Sequence, residues 1–150
     1  DWIGSAPAAC GTLGFAAGLA LEAALRKVSF EAALRSAGSE HMKFSLKWPN
    51  DVLAGQQKLA GILLEAEAVA ADRLAVVVGI GTNVVAAPVG TPYPATSLAA
   101  LGVAIGAAEL FAELTAAWAR FRGIWAGGRG LAAIRAPWHH GAARRGALGR

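Results

Sequence analysis

Apolar residues recur three and four positions apart from Thr12 onward: Leu13, Ala16, Ala17, Ala20, Leu21, Ala24, Leu25 and Val28. That period predicts an amphipathic helix. A nine-residue echo, Glu-Ala-Ala-Leu-Arg at 22–26 and again at 31–35, carries it on, as one long or broken helix, to about Gly38. Two copies do not make a repeat architecture. At Lys43-Phe44-Ser45-Leu46-Lys47 the pattern switches to alternation, which predicts a strand. Trp48-Pro49-Asn50-Asp51 interrupts it, and Val52-Leu53-Ala54 resumes extended structure. Gly55-Gln56-Gln57 is hairpin-turn chemistry, so Lys58 to Glu65 is expected to return antiparallel. Leu74 to Val85 predicts a Val-rich strand containing Gly79 and Gly81, and Pro88, Pro92 and Pro94 mark an irregular loop. Ala107 to Trp125 predicts a helix with Leu110, Phe111, Leu114, Trp118, Phe121 and Ile124 on one face, ended by Gly127-Gly128. A short helix is expected over Leu131 to Trp138, with fraying from His139.

Helix, then strands joined by a hairpin, then helices describes an α+β fold: helices on one face of a mixed or antiparallel sheet. The 150 residues suit one domain. Thirty-seven of them are alanine, so the 55% hydrophobic content reduces to roughly 30% larger apolar side chains, still enough for a core. Two uncharged stretches, 2–21 and 74–108, raise the question of a membrane. The first holds Ser5, Pro7, Thr12 and four glycines, and the second holds Asn83 and three prolines, so neither is expected to span one. The single cysteine, Cys10, excludes an internal disulfide and fits a reduced, cytoplasmic setting. Charge is uneven. Residues 1–113 carry seven Lys/Arg against ten Asp/Glu, a net of −3, whereas 114–150 carry seven arginines and no acid, a net of +7. A solvated basic face accounts for this better than a nucleic-acid site.

The densest polar group is Lys47-Trp48-Pro49-Asn50-Asp51. Pro49 fixes its own φ and biases Trp48 toward extended backbone, and Pro-Asn-Asp favours a sharp reversal. A cation, an amide and a carboxylate should therefore emerge together at one sheet edge. Lys58 opens the strand across the hairpin, which would place two ammonium groups over a common cavity where an anion could bridge them. At an effective dielectric near 20, unit charges 4 Å apart interact by about 4 kcal/mol. An edge lysine that discourages aggregation is the plainer account. Gly61 would let a flat ligand approach the backbone. Gly79-Ile80-Gly81-Thr82-Asn83 lacks the third glycine and the following helix of a dinucleotide fingerprint. A strand whose glycines admit a planar ring, with Asn83 free to pair with an adenine edge, fits better. His139-His140 have no third ligand at metal-site spacing, so no resident metal is expected.

Lys47-Trp-Pro-Asn-Asp51, then Lys58-Leu-Ala-Gly-Ile-Leu-Leu-Glu65, then Gly79-Ile-Gly-Thr-Asn83, in that order and at those separations, resemble the catalytic domain of the biotin protein ligases, the biotin–[acetyl-CoA carboxylase] ligase family. Pro94-Ala-Thr-Ser-Leu98 and the helix with Trp118 add to the likeness, which covers about residues 13–125. The resemblance implies the α+β ligase fold shared with lipoate ligases, and a two-step reaction. Biotin and ATP give biotinyl-AMP, and a lysine of a biotin carboxyl carrier domain then takes the biotinyl group. It implies magnesium with the ATP. It implies that Lys58 contacts the biotin carboxylate and the adenylate, that Lys47 neutralises phosphate, and that Gly61 and Gly81 offer backbone to the ligand. Asn83 would face the adenine, and Asn50 and Asp51 would orient a metal-bound phosphate or the incoming lysine. Lys58, Lys47 and Asp51 are thus the expected catalytic residues.

The family's Gly/Arg-rich GRGRxGR loop belongs upstream of the long helix and is not in this chain. Gly127-Gly128-Arg129-Gly130 has similar composition but the wrong order. The small C-terminal barrel of the family is also absent, and residues 27–41 look longer than the family norm. The expectation is a catalytic-domain portion truncated at both ends, with 126–150 a basic tail leading toward the barrel. An unpaired sheet edge would allow a homodimer or an assembly role without catalysis. A lipoate or octanoyl ligase is the nearest enzymatic alternative, and nucleic acid is not an expected partner.

Overall fold

The computed structural model describes residues 2–3, 7–36, 42–71 and 73–141. The elements are β1 (Trp2–Ile3), α1 (Pro7–Cys10), α2 (Leu13–Ser36), β2 (Phe44–Lys47), β3 (Asp51–Ala54), β4 (Gln57–Ala70), β5 (Arg73–Thr82), α3 (Ala107–Trp125) and α4 (Leu131–Gly141). The five strands form one sheet in the order β1-β5-β4-β3-β2, and every neighbouring pair is antiparallel. The α+β architecture is as expected, and the sheet is antiparallel rather than mixed. Gly55, at φ 60°, makes the tight turn from β3 to β4 that a side chain would strain.

Alternation along the strands gives the sheet two unlike faces. Phe44, Leu46, Val52, Ala54, Ile62 and Val76 are buried on the face that meets the helices. The opposite face carries Lys47, Asp51, Gly61, Leu63, Val77, Gly79 and Gly81, by cross-strand register, and Leu63 and Val77 stand exposed there. α2 departs from the amphipathic expectation. Between Leu13 and Val28 it buries Ala16, Ala17, Gly18, Leu19, Ala20, Leu21, Glu22, Ala24 and Leu25, positions that point in every direction around the helix. It is a central rod, with the sheet on one side and α3 and α4 on the others. The alanines permit this, because small side chains let neighbouring elements approach closely. Its solvent-facing charge lies in the later turns, where Lys27 and Arg35 pair with Glu113 and Glu109 of α3 at 2.7 and 3.2 Å.

Several boundaries differ from the pattern-based expectation. α3 buries Leu110, Phe121 and Trp125, whereas Phe111 is 68% exposed and Ile124 is also exposed. The contacting stripe runs 110, 114, 118, 121, 125, so Phe111 and Ile124 sit a quarter-turn to either side. β4 extends to Ala70, past Glu65, because it pairs with β5 along its length. β5 stops at Thr82 rather than Val85. α4 runs past His139 to Gly141, held by Ile134, which is fully buried, and by Trp138, which packs edge-on to Phe15 at 5.1 Å. β1 was not signalled by the sequence. The end of α2 near Gly38 lies outside the described residues. No helix among the described residues is long and apolar enough to cross a membrane.

Two contacts fix the start of α2, which borders the candidate site. Trp125 Nε1 donates to Thr12 Oγ1 at 2.8 Å, and that hydroxyl donates to the Ala9 carbonyl at 2.6 Å. Gly130 brings α4 back toward α2, and a Cβ there would collide with the Ile124 carbonyl oxygen, so glycine is required.

Glu22 lies in the buried part of α2, only 8% exposed. Burial raises its carboxyl above the ordinary value, and Arg26, paired at 3.1 Å, offsets part of that. The native state therefore holds this proton more tightly than the unfolded chain does. Ionised Glu22 costs stability above its folded pKa, and that cost disappears below its unfolded pKa. Glu22→Gln is expected to unfold at higher denaturant concentration than the parent at pH 7, with the gain shrinking as pH falls through the carboxylate range. A gain that is constant with pH, or a loss at pH 7, would contradict the assignment.

Candidate active site

One cross-strand row organises the open face of the sheet. Lys47 of β2 stands opposite Asp51 of β3, Asp51 opposite Gly61 of β4, and Gly61 opposite Gly81 of β5. The row thus runs cation, carboxylate, bare backbone, bare backbone. Lys58 joins it through a β-bulge. The register shifts between Val52 and Leu53, so that Val52 faces Ala60 but Leu53 faces Lys58. Leu59, left without a partner on β3, is fully buried. Strand alternation alone would put Lys58 and Gly61, three residues apart, on opposite faces. The extra residue puts them on the same one.

The Lys58 ammonium reaches Asp51 Oδ1 at 2.7 Å, with the two side chains 28% and 18% exposed. It crosses directly above Gly61, where a Cβ would lie 3.4 and 3.5 Å from Lys58 Cε and Nζ. A Cβ on Gly81 would meet nothing within 4 Å. Packing of the protein itself does not require that glycine, and its bareness leaves the floor of the face open.

Two clefts open along β4. A cleft of about 300 Å³ is bounded by Gly14 and Phe15 of α2, by the Trp48-Pro49-Asn50 turn, and by Ile62 to Leu64. The Trp48–Pro49 peptide is cis. Asn50 lines this cleft, and its carbonyl accepts the Ile62 N–H at 2.8 Å. A second cleft of about 330 Å³ is lined by Lys58, Gly61, Gly81, Asn83, Pro88 and Tyr93. The proline-rich segment forms its outer wall and is strapped to β4. Lys58 N–H donates to the Pro94 carbonyl at 2.8 Å, and Thr96 N–H donates to the Lys58 carbonyl at 3.0 Å.

The structure brings Asp51, Lys58, Gly61, Gly81 and Asn83 together and corrects two expectations. Lys47 and Lys58 are not neighbours across one hairpin, and neither of these two clefts is lined by both. β3 lies between their strands, the partner of Lys58 is the Asp51 carboxylate, and Lys47 lines neither cleft. Asn83 is not free, because its Nδ2 donates to the Thr96 carbonyl at 3.0 Å. That bond helps hold the wall of the second cleft, and the amide oxygen and one N–H remain for a ligand. Sequence reasoning missed the bulge at Leu59 and missed Tyr93, whose ring centroid lies 5.1 Å from Lys58 Nζ. The available signal for the latter was the chain's one tyrosine set between two prolines.

Among the described residues there is no group of three or more His, Cys, Asp or Glu side chains able to hold a metal ion. Near the second cleft the carboxylate is Asp51, already paired with Lys58. Such a donor set does not suit a resident divalent cation, which needs more oxygen ligands than one shared carboxylate supplies.

An antiparallel sheet with helices on one face matches, at partial coverage, the catalytic-domain fold of the biotin protein ligases. The profile of the biotin/lipoate A/B protein ligase family matches residues 11–83. Over 144 residues the chain is 36% identical to the biotin–[acetyl-CoA-carboxylase] ligase of Paracoccus denitrificans, covering 92% of this chain and 56% of that protein. Over 59 residues it is 54% identical to the ligase of the same name from Mycobacterium tuberculosis, covering 39% of this chain and 20% of that one. The fold superposes on the biotin protein ligase of Aquifex aeolicus in complex with biotin and ATP with a TM-score of 0.67 and 24% identity, over 88% of this chain and 51% of that one. It superposes on the Leishmania major biotin protein ligase in complex with biotinyl-5-AMP with a TM-score of 0.68 and 20% identity, over 98% and 60%. The chain is thus similar to the biotin/lipoate A/B protein ligase family over residues 11–83 and to a biotin–[acetyl-CoA-carboxylase] ligase over most of its length. It spans about half the length of the Paracoccus relative and of these solved structures.

Proposed function

We propose that the open face of the sheet condenses biotin with ATP to biotinyl-5′-AMP and pyrophosphate, and then presents the mixed anhydride to a lysine of a carrier domain such as that of acetyl-CoA carboxylase. The observation that carries this is the Lys58 ammonium held over the Gly61 backbone in one cleft, with the second, more apolar cleft beginning at the next residue of β4, Ile62. The first step drives a carboxylate oxygen onto the α-phosphorus of ATP, anion against anion, so fixed positive charge must already be in place. Lys58 supplies it at the point where an acid head and an α-phosphate would meet. The cleft walled by Phe15, Trp48 and Leu64 suits the apolar body of biotin. The cleft walled by Asn83 and Tyr93 suits the nucleotide, with Gly61 and Gly81 giving flat backbone beneath it. Asn50 faces the biotin side. Lys47, at the end of the row, would add positive potential for the triphosphate. Magnesium enters as the counter-ion of the nucleotide and is thus part of the substrate.

In the second step the neutral carrier amine attacks the acyl carbon, AMP leaves, and a proton must be taken from the amine. Asp51 is the carboxylate next to the reacting atoms once Lys58 turns to the phosphate. Biotin-dependent exchange of labelled pyrophosphate into ATP tests the first step, with calorimetric binding of biotinyl-5′-AMP beside it. Exchange that needs biotin, together with saturable adenylate binding, is expected. Adenylate that does not bind, with no exchange, would overturn the proposal.

A further inference from the structure

We propose that Tyr93 is a positioning residue for Lys58, its ring face acting as an electrostatic rest that keeps the ammonium over Gly61 before any ligand arrives; the inference rests on the function proposed above for Lys58. The Lys58 Nζ lies 5.1 Å from the Tyr93 ring centroid while 2.7 Å from Asp51 Oδ1, so the cation is bracketed by a carboxylate and a π face. A free lysine side chain samples many rotamers and loses that freedom when it binds an anion. A side chain already held in one rotamer loses less on binding, and the difference appears as affinity.

The mounting of Tyr93 supports this role. Pro92 and Pro94 flank it, so φ is fixed on both sides and Tyr93 itself is biased to extended backbone. Thr91 Oγ1 donates to the Tyr93 carbonyl at 2.6 Å. The next residues bind the backbone of Lys58 itself, through Pro94 O and Thr96 N, and Ala95 forms a parallel bridge with Lys58. The segment that carries the ring is thus registered on the residue the ring contacts, and Asn83 fastens the same segment from the other side through Thr96 O. Nothing in the packing demands an aromatic ring here, since Tyr93 is 44% exposed. The face of its ring meets the Lys58 ammonium.

A ring that only fills space and a ring that holds a cation respond differently to fluorination, which drains the π face at nearly constant shape. The expected series at position 93 runs Tyr93→Phe, then 4-fluoro-, 3,5-difluoro- and 3,4,5-trifluorophenylalanine, with biotinyl-5′-AMP affinity measured by calorimetry. Tyr93→Phe, which keeps the ring and drops the hydroxyl, is the reference for the series. Affinity should then fall stepwise with fluorination, reaching a loss of roughly 3- to 30-fold in the last member and in Tyr93→Leu. In the ligand-free protein, the Lys58 ε-methylene proton signals should be ring-current shifted in the parent and in Tyr93→Phe, and return to ordinary values in Tyr93→Leu. Equal affinity across the fluorinated series, or unshifted Lys58 signals in the parent, would overturn the inference. The proton signals are read without ligand. If they are shifted as expected while the adenylate fails to bind, the result supports the contact and counts against the proposed function alone.

Discussion

Gly81→Val is expected to leave the protein as stable as the parent or stabler, and to cost biotinyl-5′-AMP binding on the order of 100-fold, equivalent to about 3 kcal/mol. Gly81 is the penultimate residue of β5, paired with Gly61 and outside the positive-φ glycines, and a Cβ there meets nothing within 4 Å. Valine suits a strand better than glycine, both in backbone entropy and in side-chain packing, by about 0.5–1 kcal/mol. In an empty protein the glycine is therefore a local defect with no structural return. It is opposite Gly61, the residue over which the Lys58 ammonium lies. An isopropyl group there would stand where the proposed ligand lies against backbone. Denaturant unfolding and calorimetry on the same two proteins check both halves. Undiminished binding by the valine variant would remove Gly81 from the ligand's footprint, and a large loss of stability would mean that packing requires the glycine after all.

The same residues show what a sequence can and cannot reveal. The strand–turn–strand at Lys47 to Ala54 was legible because alternation, Pro-Asn-Asp and the hairpin glycine all point one way. The glycines at 61, 79 and 81 were legible as gaps in apolar strands. The face on which each residue emerges was not, because it depends on register. One extra residue, Leu59, decides that Gly61 shares a face with Lys58, which faces Asp51 already through its pairing with Leu53. The expectation of two lysines over one cavity left out β3, which lies between their strands and brings the Asp51 carboxylate to Lys58. Tyr93 and Asn83 were illegible as a pair for a related reason. Tyr93 is placed by hydrogen bonds between its loop and a strand some 35 residues earlier, and Asn83 bonds the same loop at Thr96, pairings for which local pattern carries no information. In the helical layer, period and propensity located α2 and α3. The near-complete burial of α2 depends on what packs behind it, which its alanine-rich pattern only permits.

Lys58→Ala is expected to slow biotinyl-5′-AMP formation by about 100- to 1,000-fold, and Asp51→Asn in the same chain to restore part of that loss. Two electrostatic changes act together in the single variant. The positive charge placed for the carboxylate and α-phosphate is gone, and removing one preorganised group of this kind costs about 3–4 kcal/mol of transition-state stabilisation. Asp51, until then neutralised at 2.7 Å, also becomes an unpaired carboxylate facing two incoming anions. Unit charges 4 Å apart at an effective dielectric near 20 interact by about 4 kcal/mol, and partial exposure screens this to a fraction. The repulsion is thus worth about tenfold, which the double variant should recover although it carries one more substitution. If Lys58 served only to anchor Asp51 structurally, neutralising Asp51 would bring no recovery. Single-turnover rates of adenylate formation for the parent, the two single variants and the double variant give the coupling directly. A double variant as slow as Lys58→Ala would deny that Asp51 opposes the anions. A single variant with undiminished rate would remove Lys58 from the chemistry.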